Sequence, residues 1–146
     1  MQITQLDALT YVGPQISVAD MVNLRRYKTG TIVVARPEGE TGDQPTISAI
    51  REAADAFGIT VRQIPVVAGN ITDEDVCAYG AITSGTDGPI FAYCRSGMRA
   101  TSLWALNAAE QGHAPDDILR VARNANFDLS ALAPRLADYA AKFKTQ

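Results

Sequence analysis

The chain has 146 residues, a formal net charge of −3 and a hydrophobic fraction of 47%. This length suits one domain with a sizeable core. The mild acidity and the lack of a dense lysine and arginine block argue against nucleic-acid or membrane-surface partners. The first residues lack the basic and long apolar regions of a signal peptide, and no apolar stretch could span a bilayer. We therefore expect a single cytoplasmic domain over residues 1–146.

The soft metal ligands of the chain are two cysteines, Cys77 and Cys94, and one histidine, His113. They are widely spaced and include no Cys-x-x-Cys pair, so they predict neither a disulfide framework nor a metal site. We expect a reduced protein that uses no metal and no other cofactor.

Apolar runs alternate with helix-capping signals along the chain. The apolar or β-branched runs predict strands over residues 9–12, 31–35, 59–64 and 89–93. Periodicity and capping residues predict helices over residues 18–27, 45–57, 116–124 and 129–143. They also predict a helix that begins after Thr72 and another that runs from after Met98 to Gln111. Residues 85–88 are predicted to form a turn.

This alternation predicts an α/β fold with a mainly parallel central sheet and helices on both faces. Ligands of such sheets bind at the carboxyl ends of the strands. Cys94, Arg36 and the segment 66–70 each follow a different predicted strand. We therefore expect these residues to lie on the same edge of the sheet.

The candidate functional loop joins a predicted strand to a predicted helix and has the sequence Cys94-Arg95-Ser96-Gly97-Met98-Arg99. Its backbone N–H groups are expected to converge on a bound anion, and Gly97 permits a positive φ or a close approach of the substrate. The helix N-terminus and the Arg99 guanidinium favour the thiolate form of Cys94, which makes this residue a candidate nucleophile. Arg99 can clamp the anion, and Ser96 can donate a hydrogen bond to the sulfur or to a leaving group.

Charged residues after the second predicted strand add candidates to this edge. Arg36 is a candidate second contact to the anion, and a solvated loop arginine is the alternative interpretation. Glu38 and Glu40 follow it closely and are candidates to pair with Arg36 or Arg99.

Four segments, residues 11–16, 36–40, 71–76 and 92–97, resemble the phosphatase-like domain of beta-lactamase-hydrolase-like proteins, the DUF442 family. This resemblance implies a cysteine-phosphatase-like fold of the dual-specificity type, a three-layer sandwich. It also implies a bacterial origin and a link with persulfide oxidation, where such domains accompany persulfide dioxygenases. The loop from Cys94 to Arg99 is in addition similar to the active-site loop of rhodanese-type sulfurtransferases.

These resemblances leave sulfur transfer and phosphate hydrolysis open. Four residues separate Cys94 from Arg99, one fewer than in cysteine phosphatases, so the anion cup is expected to be narrow. Phosphatases of this fold use an aspartate as general acid, but the matching segment 65–70 has no carboxylate. The nearest carboxylate is Asp73, which is predicted to lie in the first turn of a helix.

We therefore expect a rhodanese-type sulfurtransferase that moves sulfane sulfur through a persulfide on Cys94. The expected donors are thiosulfate or glutathione persulfide, and the expected acceptor is a thiol or cyanide. One alternative is a cysteine phosphatase that hydrolyses a phosphate ester through a phosphocysteine on Cys94. The other is a non-catalytic, anion-binding regulatory module. A persulfide dioxygenase is the expected protein partner, and a small homo-oligomer is compatible with the sequence.

Overall fold

The structure is a computed structural model that describes residues 2–86 and 88–144. Its strands are β1 (Thr4–Gln5), β2 (Thr10–Gly13), β3 (Thr31–Val34), β4 (Thr60–Gln63) and β5 (Ile90–Tyr93). They form a sheet with the order β1-β2-β5-β3-β4. The short β1 pairs antiparallel with β2, and the other neighbouring strands are parallel. The predicted, mainly parallel sheet is thus confirmed.

The helices are α1 (Met21–Arg26), α2 (Ile47–Asp55), α3 (Asp73–Ser84), α4 (Met98–Glu110), α5 (Pro115–Asn124) and α6 (Ala133–Lys144). Apolar residues of α1 and α2 pack on one face of the sheet, whereas those of α3, α4, α5 and α6 pack on the other. The predicted placement of helices on both faces is therefore confirmed. Among the described residues, no helix combines the length and the apolar character that crossing a membrane requires.

The structure differs from the predicted elements by one missed strand and by the ends of several helices. The sequence analysis missed β1, because two residues are too few to show strand alternation. The first predicted helix, 18–27, begins with a 3-10 turn at Val18–Asp20 before α1. A further 3-10 turn at Ser130–Leu132 precedes α6, where Pro134 is placed in the first turn. The turn predicted over 85–88 includes Asp87, which lies outside the described residues.

The central strand β5 is buried along its whole length and alternates its side chains between the two layers. Phe91 and Tyr93 belong to the cluster with α1 and α2, whereas Ala92 and Cys94 belong to the cluster with α4. Eleven of the thirteen residues of α4 are buried as well. The nucleophile candidate therefore lies between two well-packed elements of the core.

Candidate active site

Cys94 directly follows β5 at the carboxyl edge of the sheet, and its side chain is buried. The backbone N–H of Gly97 donates a hydrogen bond to the Cys94 Sγ at 3.1 Å. Gly97 has a φ of 97°, which favours glycine, and a Cβ at this position would lie 2.9 Å from the Phe127 ring. The loop thus places the sulfur beside the first turn of α4, as the sequence predicts.

The residues after Cys94 close the loop onto the helix. Met98 is the first residue of α4, and the Thr101 hydroxyl donates to the carbonyl oxygen of Gly97 at 2.8 Å. The Ser96 Oγ accepts a hydrogen bond from the Met98 N–H at 3.3 Å. In this structure, Ser96 therefore contacts the helix backbone, whereas the sequence analysis considers a contact to the sulfur or a leaving group.

Three hydrogen bonds hold the Arg99 guanidinium in a fixed orientation. Its Nη1 donates to the Glu40 Oε2 at 2.9 Å and to the Val66 carbonyl oxygen at 2.8 Å, and its Nη2 donates to the Glu40 Oε1 at 2.8 Å. The hydrogen bond to Glu40 raises the pKa of Arg99, and the nearby Cys94 sulfur adds to this effect. A guanidinium has five N–H groups, so two are left for the Cys94 sulfur or for the oxygens of an anion bound there.

Glu40 connects the two arginines of the site. Its Oε1 also accepts a hydrogen bond from the Arg36 Nε at 3.1 Å, and Arg36 donates through Nη1 to the Gln15 Oε1 at 2.8 Å. The hydrogen bond from Arg99, with charge from both arginines, lowers the pKa of Glu40 despite partial burial. Arg36 is only 1% exposed, so it is not a solvated loop arginine, and its guanidinium helps to hold Glu40 in place.

Asp73 lies at the start of α3, where the sequence predicts it. Its Oδ1 accepts hydrogen bonds from the Tyr139 hydroxyl and, at 3.0 Å, from the Arg135 Nη2. The bond from Tyr139, followed by the bond from Arg135, lowers the pKa of Asp73. The carboxylate therefore ties α3 to α6, and these contacts favour its ionised form.

The rim of the site combines charge with exposed apolar side chains. Arg95 is exposed, and Met98 and Val67 are 39% and 53% exposed. Asp43 lies near Arg95, although a hydrogen bond from Thr41 is the main cause that lowers the pKa of Asp43. Val67 adjoins the carbonyl that Arg99 binds, so this apolar side chain borders the anion site.

Gln15 and the Val66 carbonyl are structural contributors that the sequence analysis did not identify. Gln15 binds Arg36 through its side chain, and its backbone N–H donates to the Arg95 carbonyl oxygen at 3.2 Å. Only their positions in the sequence could have indicated that these two residues contribute to the site, because both follow predicted strands that end on the same edge of the sheet.

A comparison with known protein families finds one family that matches most of this chain. Residues 3–111 match a family described as beta-lactamase hydrolase-like protein, phosphatase-like domain. A beta-lactamase hydrolase-like protein from Agrobacterium fabrum is 32% identical over 132 residues, which are 90% of this chain and 31% of that protein. The chain thus spans about a third of the length of the curated relatives it matches.

Solved structures share the same fold. A protein from Neisseria meningitidis, named as a candidate phosphatase, is 31% identical with a TM-score of 0.85 and covers 95% of this chain and 99% of its own. The core catalytic domain of the PP-IP phosphatase Siw14 from S. cerevisiae is 18% identical with a TM-score of 0.71, covering 93% and 83%. At 18% identity, the likeness to Siw14 concerns the fold alone. It confirms the predicted cysteine-phosphatase-like architecture.

The expectation of rhodanese-type sulfur transfer is wrong. The matching family is described as phosphatase-like, and the structural neighbours carry the names of phosphatases. The short loop between Cys94 and Arg99 and the lack of a carboxylate in segment 65–70, from which sulfur transfer was predicted, therefore did not identify the reaction class. Because the family match extends over residues 3–111, the chain belongs to the family of beta-lactamase hydrolase-like, phosphatase-like domains.

Proposed function

We propose that this chain is a cysteine-dependent phosphatase that hydrolyses phosphate monoesters with acidic leaving groups. The observation that carries the proposal is the buried Cys94 Sγ, which accepts the Gly97 N–H at 3.1 Å at the start of α4. An oriented guanidinium, Arg99, stands beside that sulfur. This arrangement stabilises negative charge both on the nucleophile and on a bound phosphoryl group.

The reaction proceeds in two displacements on phosphorus. In the first, the Cys94 thiolate attacks phosphorus, a P–S bond forms, and the P–O bond to the leaving group breaks with its electron pair on oxygen. In the second, water attacks the phosphocysteine, the P–S bond breaks, and inorganic phosphate and the thiolate are released. The loop N–H groups and the two free N–H groups of Arg99 stabilise the charge on the equatorial oxygens in both steps.

The carboxylates near this edge limit which leaving groups can depart. The pKa values of Glu40, Asp43 and Asp73 are all lowered by hydrogen bonds or charges around them. Ionised carboxylates cannot protonate a departing alkoxide, and general acid catalysis typically contributes about 10²–10⁴-fold. The proposed substrates are therefore esters such as aryl phosphates, whose leaving group departs without a proton.

Steady-state hydrolysis tests the proposal. The wild-type protein is expected to hydrolyse p-nitrophenyl phosphate, and Cys94→Ser is expected to lose this activity. Cys77→Ser is the matched control, because Cys77 is an exposed cysteine on α3. Hydrolysis of a simple alkyl phosphate should be slower by about 10²-fold or more, because no acid assists. Equal hydrolysis by wild type and Cys94→Ser, or none by the wild type, overturns the proposal.

A further inference from the structure

A second buried guanidinium, that of Arg36, takes no part in the proposed reaction steps. Arg36 lies shortly after β3 and is 1% exposed. Its Nη1 donates to the Gln15 Oε1 at 2.8 Å, and its Nε donates to the Glu40 Oε1 at 3.1 Å. A charge that is removed from water needs an opposite charge to offset its desolvation. Glu40 supplies that opposite charge.

One oxygen of Glu40 contacts both arginines. Its Oε1 lies 2.9 Å from the Arg36 Nη2 and 2.8 Å from the Arg99 Nη2, and its Oε2 lies 2.9 Å from the Arg99 Nη1. The Arg36 and Arg99 side chains are 2% and 10% exposed, and that of Glu40 is 25% exposed. The three charges are therefore in contact and largely out of solvent, where they interact more strongly than in bulk water.

Glu40 has two opposing effects on the anion site. It holds the Arg99 guanidinium in place through two hydrogen bonds. The hydrogen bond from Arg99, with charge from both arginines, lowers the pKa of Glu40, so this carboxylate is ionised at neutral pH. A negative charge beside Arg99 repels a phosphoryl dianion and cancels part of the attraction that Arg99 supplies.

Two neighbouring carboxylates act elsewhere. The two oxygens of Glu38 accept from the Ile47 N–H at 3.2 and 3.0 Å, so this carboxylate binds the N-terminus of α2. Asp43 is exposed, so solvent and salt screen its charge. Within the described ranges, Glu40 is the carboxylate that makes the ion pair with Arg99.

We propose that Arg36 is a positioning residue that compensates the charge of Glu40, so that Arg99 keeps its attraction for a phosphoryl dianion. Arg36 and Glu40 together add no net charge, whereas Glu40 alone would add one negative charge beside the anion. Arg36 acts here through Glu40 and not as a ligand, because its guanidinium is buried against Gln15 and Glu40. The inference rests on the proposed use of the Cys94 loop as an anion site.

Equilibrium dialysis against radiolabelled sulfate tests the proposal without catalysis. Sulfate carries two negative charges at pH 7, so its affinity reports on the charge of the anion site. Saturable binding is expected for the wild type at fixed ionic strength. Arg36→Gln leaves Glu40 uncompensated and should raise the Kd by about tenfold. Arg99→Lys should also weaken binding, which locates the bound sulfate at Arg99.

Two further variants separate charge compensation from a purely structural role. Arg36→Lys keeps the charge but loses the guanidinium fork. The double variant Arg36→Gln/Glu40→Gln has lost both charges, so its net charge at this pair equals that of the wild type. Both proteins should bind sulfate with a Kd within about threefold of the wild-type value. A residue that only shaped the loop would give weak binding in both, because both lose the contacts of the guanidinium.

The converse variant covers a failure of Arg36→Gln to fold. Glu40→Gln alone leaves Arg36 uncompensated and retains an acceptor oxygen for Arg99. It should bind sulfate more tightly than the wild type does. Weaker binding by Glu40→Gln would overturn the proposal, because the orientation of Arg99 would then outweigh the charge of Glu40.

Other results would also overturn the proposal. These are an unchanged Kd in Arg36→Gln, a loss of affinity that Glu40→Gln does not reverse, or sulfate binding that is absent from the wild type or unaffected by Arg99→Lys. The proposed function fails separately. The predicted order of sulfate affinities in a protein that hydrolyses no p-nitrophenyl phosphate would support the charge compensation and overturn the phosphatase.

Discussion

The two ends of β5 present opposite chemistry. At the carboxyl end, Cys94 meets the positive end of α4 and the Arg99 guanidinium. At the amino end, Ile90 borders an apolar cavity with acidic residues, near the negative end of α4. Both ends use the same strand and helix, so chain direction decides which end has the positive helix terminus and the nucleophile candidate. The comparison teaches that the two ends of one α/β layer can differ in charge although they share the same elements.

The largest effect is expected from Arg99→Lys, which should impair only the candidate active site at the carboxyl end of β5. Lysine cannot reproduce the fork that binds Glu40 and a phosphoryl group together. We expect kcat/KM for p-nitrophenyl phosphate to fall by about 10²-fold or more, measured at fixed pH. A variant that keeps wild-type kcat/KM would show that Arg99 does not act on the phosphoryl group.

Gly97→Ala should destabilise the protein by about 1–3 kcal/mol in chemical denaturation. The residue has a φ of 97°, and a Cβ would lie 2.9 Å from the Phe127 ring. Gly58→Ala is the matched control, since its φ is 71° but no atom lies within 4 Å of its Cβ position. It should therefore lose less free energy of unfolding than Gly97→Ala. Equal losses would mean that close packing at the loop adds nothing to backbone strain.

Glu40→Gln should change the pH dependence of stability. The pKa of Glu40 in the folded protein is lowered from an ordinary value of 4.5. Its contribution, about 1 kcal/mol for a partly exposed ion pair, is therefore present above pH 4.5 and lost as the pH falls further. The free energy of unfolding, measured between pH 7 and pH 3, should decrease less steeply in Glu40→Gln. Parallel curves for the two proteins would exclude this linkage.

The smallest effect is expected from Asp73→Asn. Its carboxylate binds Arg135 and the Tyr139 hydroxyl, and the resulting lower pKa disfavours a general acid. We expect little change in kcat for p-nitrophenyl phosphate and an equally small change for an alkyl ester. A loss of about 10²–10⁴-fold confined to the alkyl ester would instead identify Asp73 as a general acid.

Local sequence patterns predicted the position of the reacting groups. A buried strand that ends just before Cys94, followed by Gly97 and a helix, places the sulfur beside a helix N-terminus. The same reasoning placed Arg36 and the 66–70 segment on the same edge. These predictions depend only on strand direction and on the glycine conformation.

Contacts between distant segments could not be predicted in this way. The sequence named Glu38 and Glu40 as candidate partners of Arg36 or Arg99, but it did not specify which carboxylate binds which arginine. In the structure Glu40 binds both arginines, including Arg99 at a distance of 59 positions along the chain, whereas Glu38 accepts from the Ile47 N–H. The cavity at Tyr79 depends on how α3, α4 and α5 pack together, which no local pattern specifies. The reaction class was inferred from the short Cys94–Arg99 loop and from the lack of a carboxylate in segment 65–70, whereas the family match extends over residues 3–111.

The most direct test of the account is to trap the covalent intermediate. The protein is mixed with p-nitrophenyl phosphate, quenched in acid within the first turnover, digested and analysed by mass spectrometry. The account predicts a phosphoryl group on the peptide that contains Cys94 and none in Cys94→Ser. Turnover of the ester with no adduct on Cys94, or with the phosphoryl group on another residue, would contradict it.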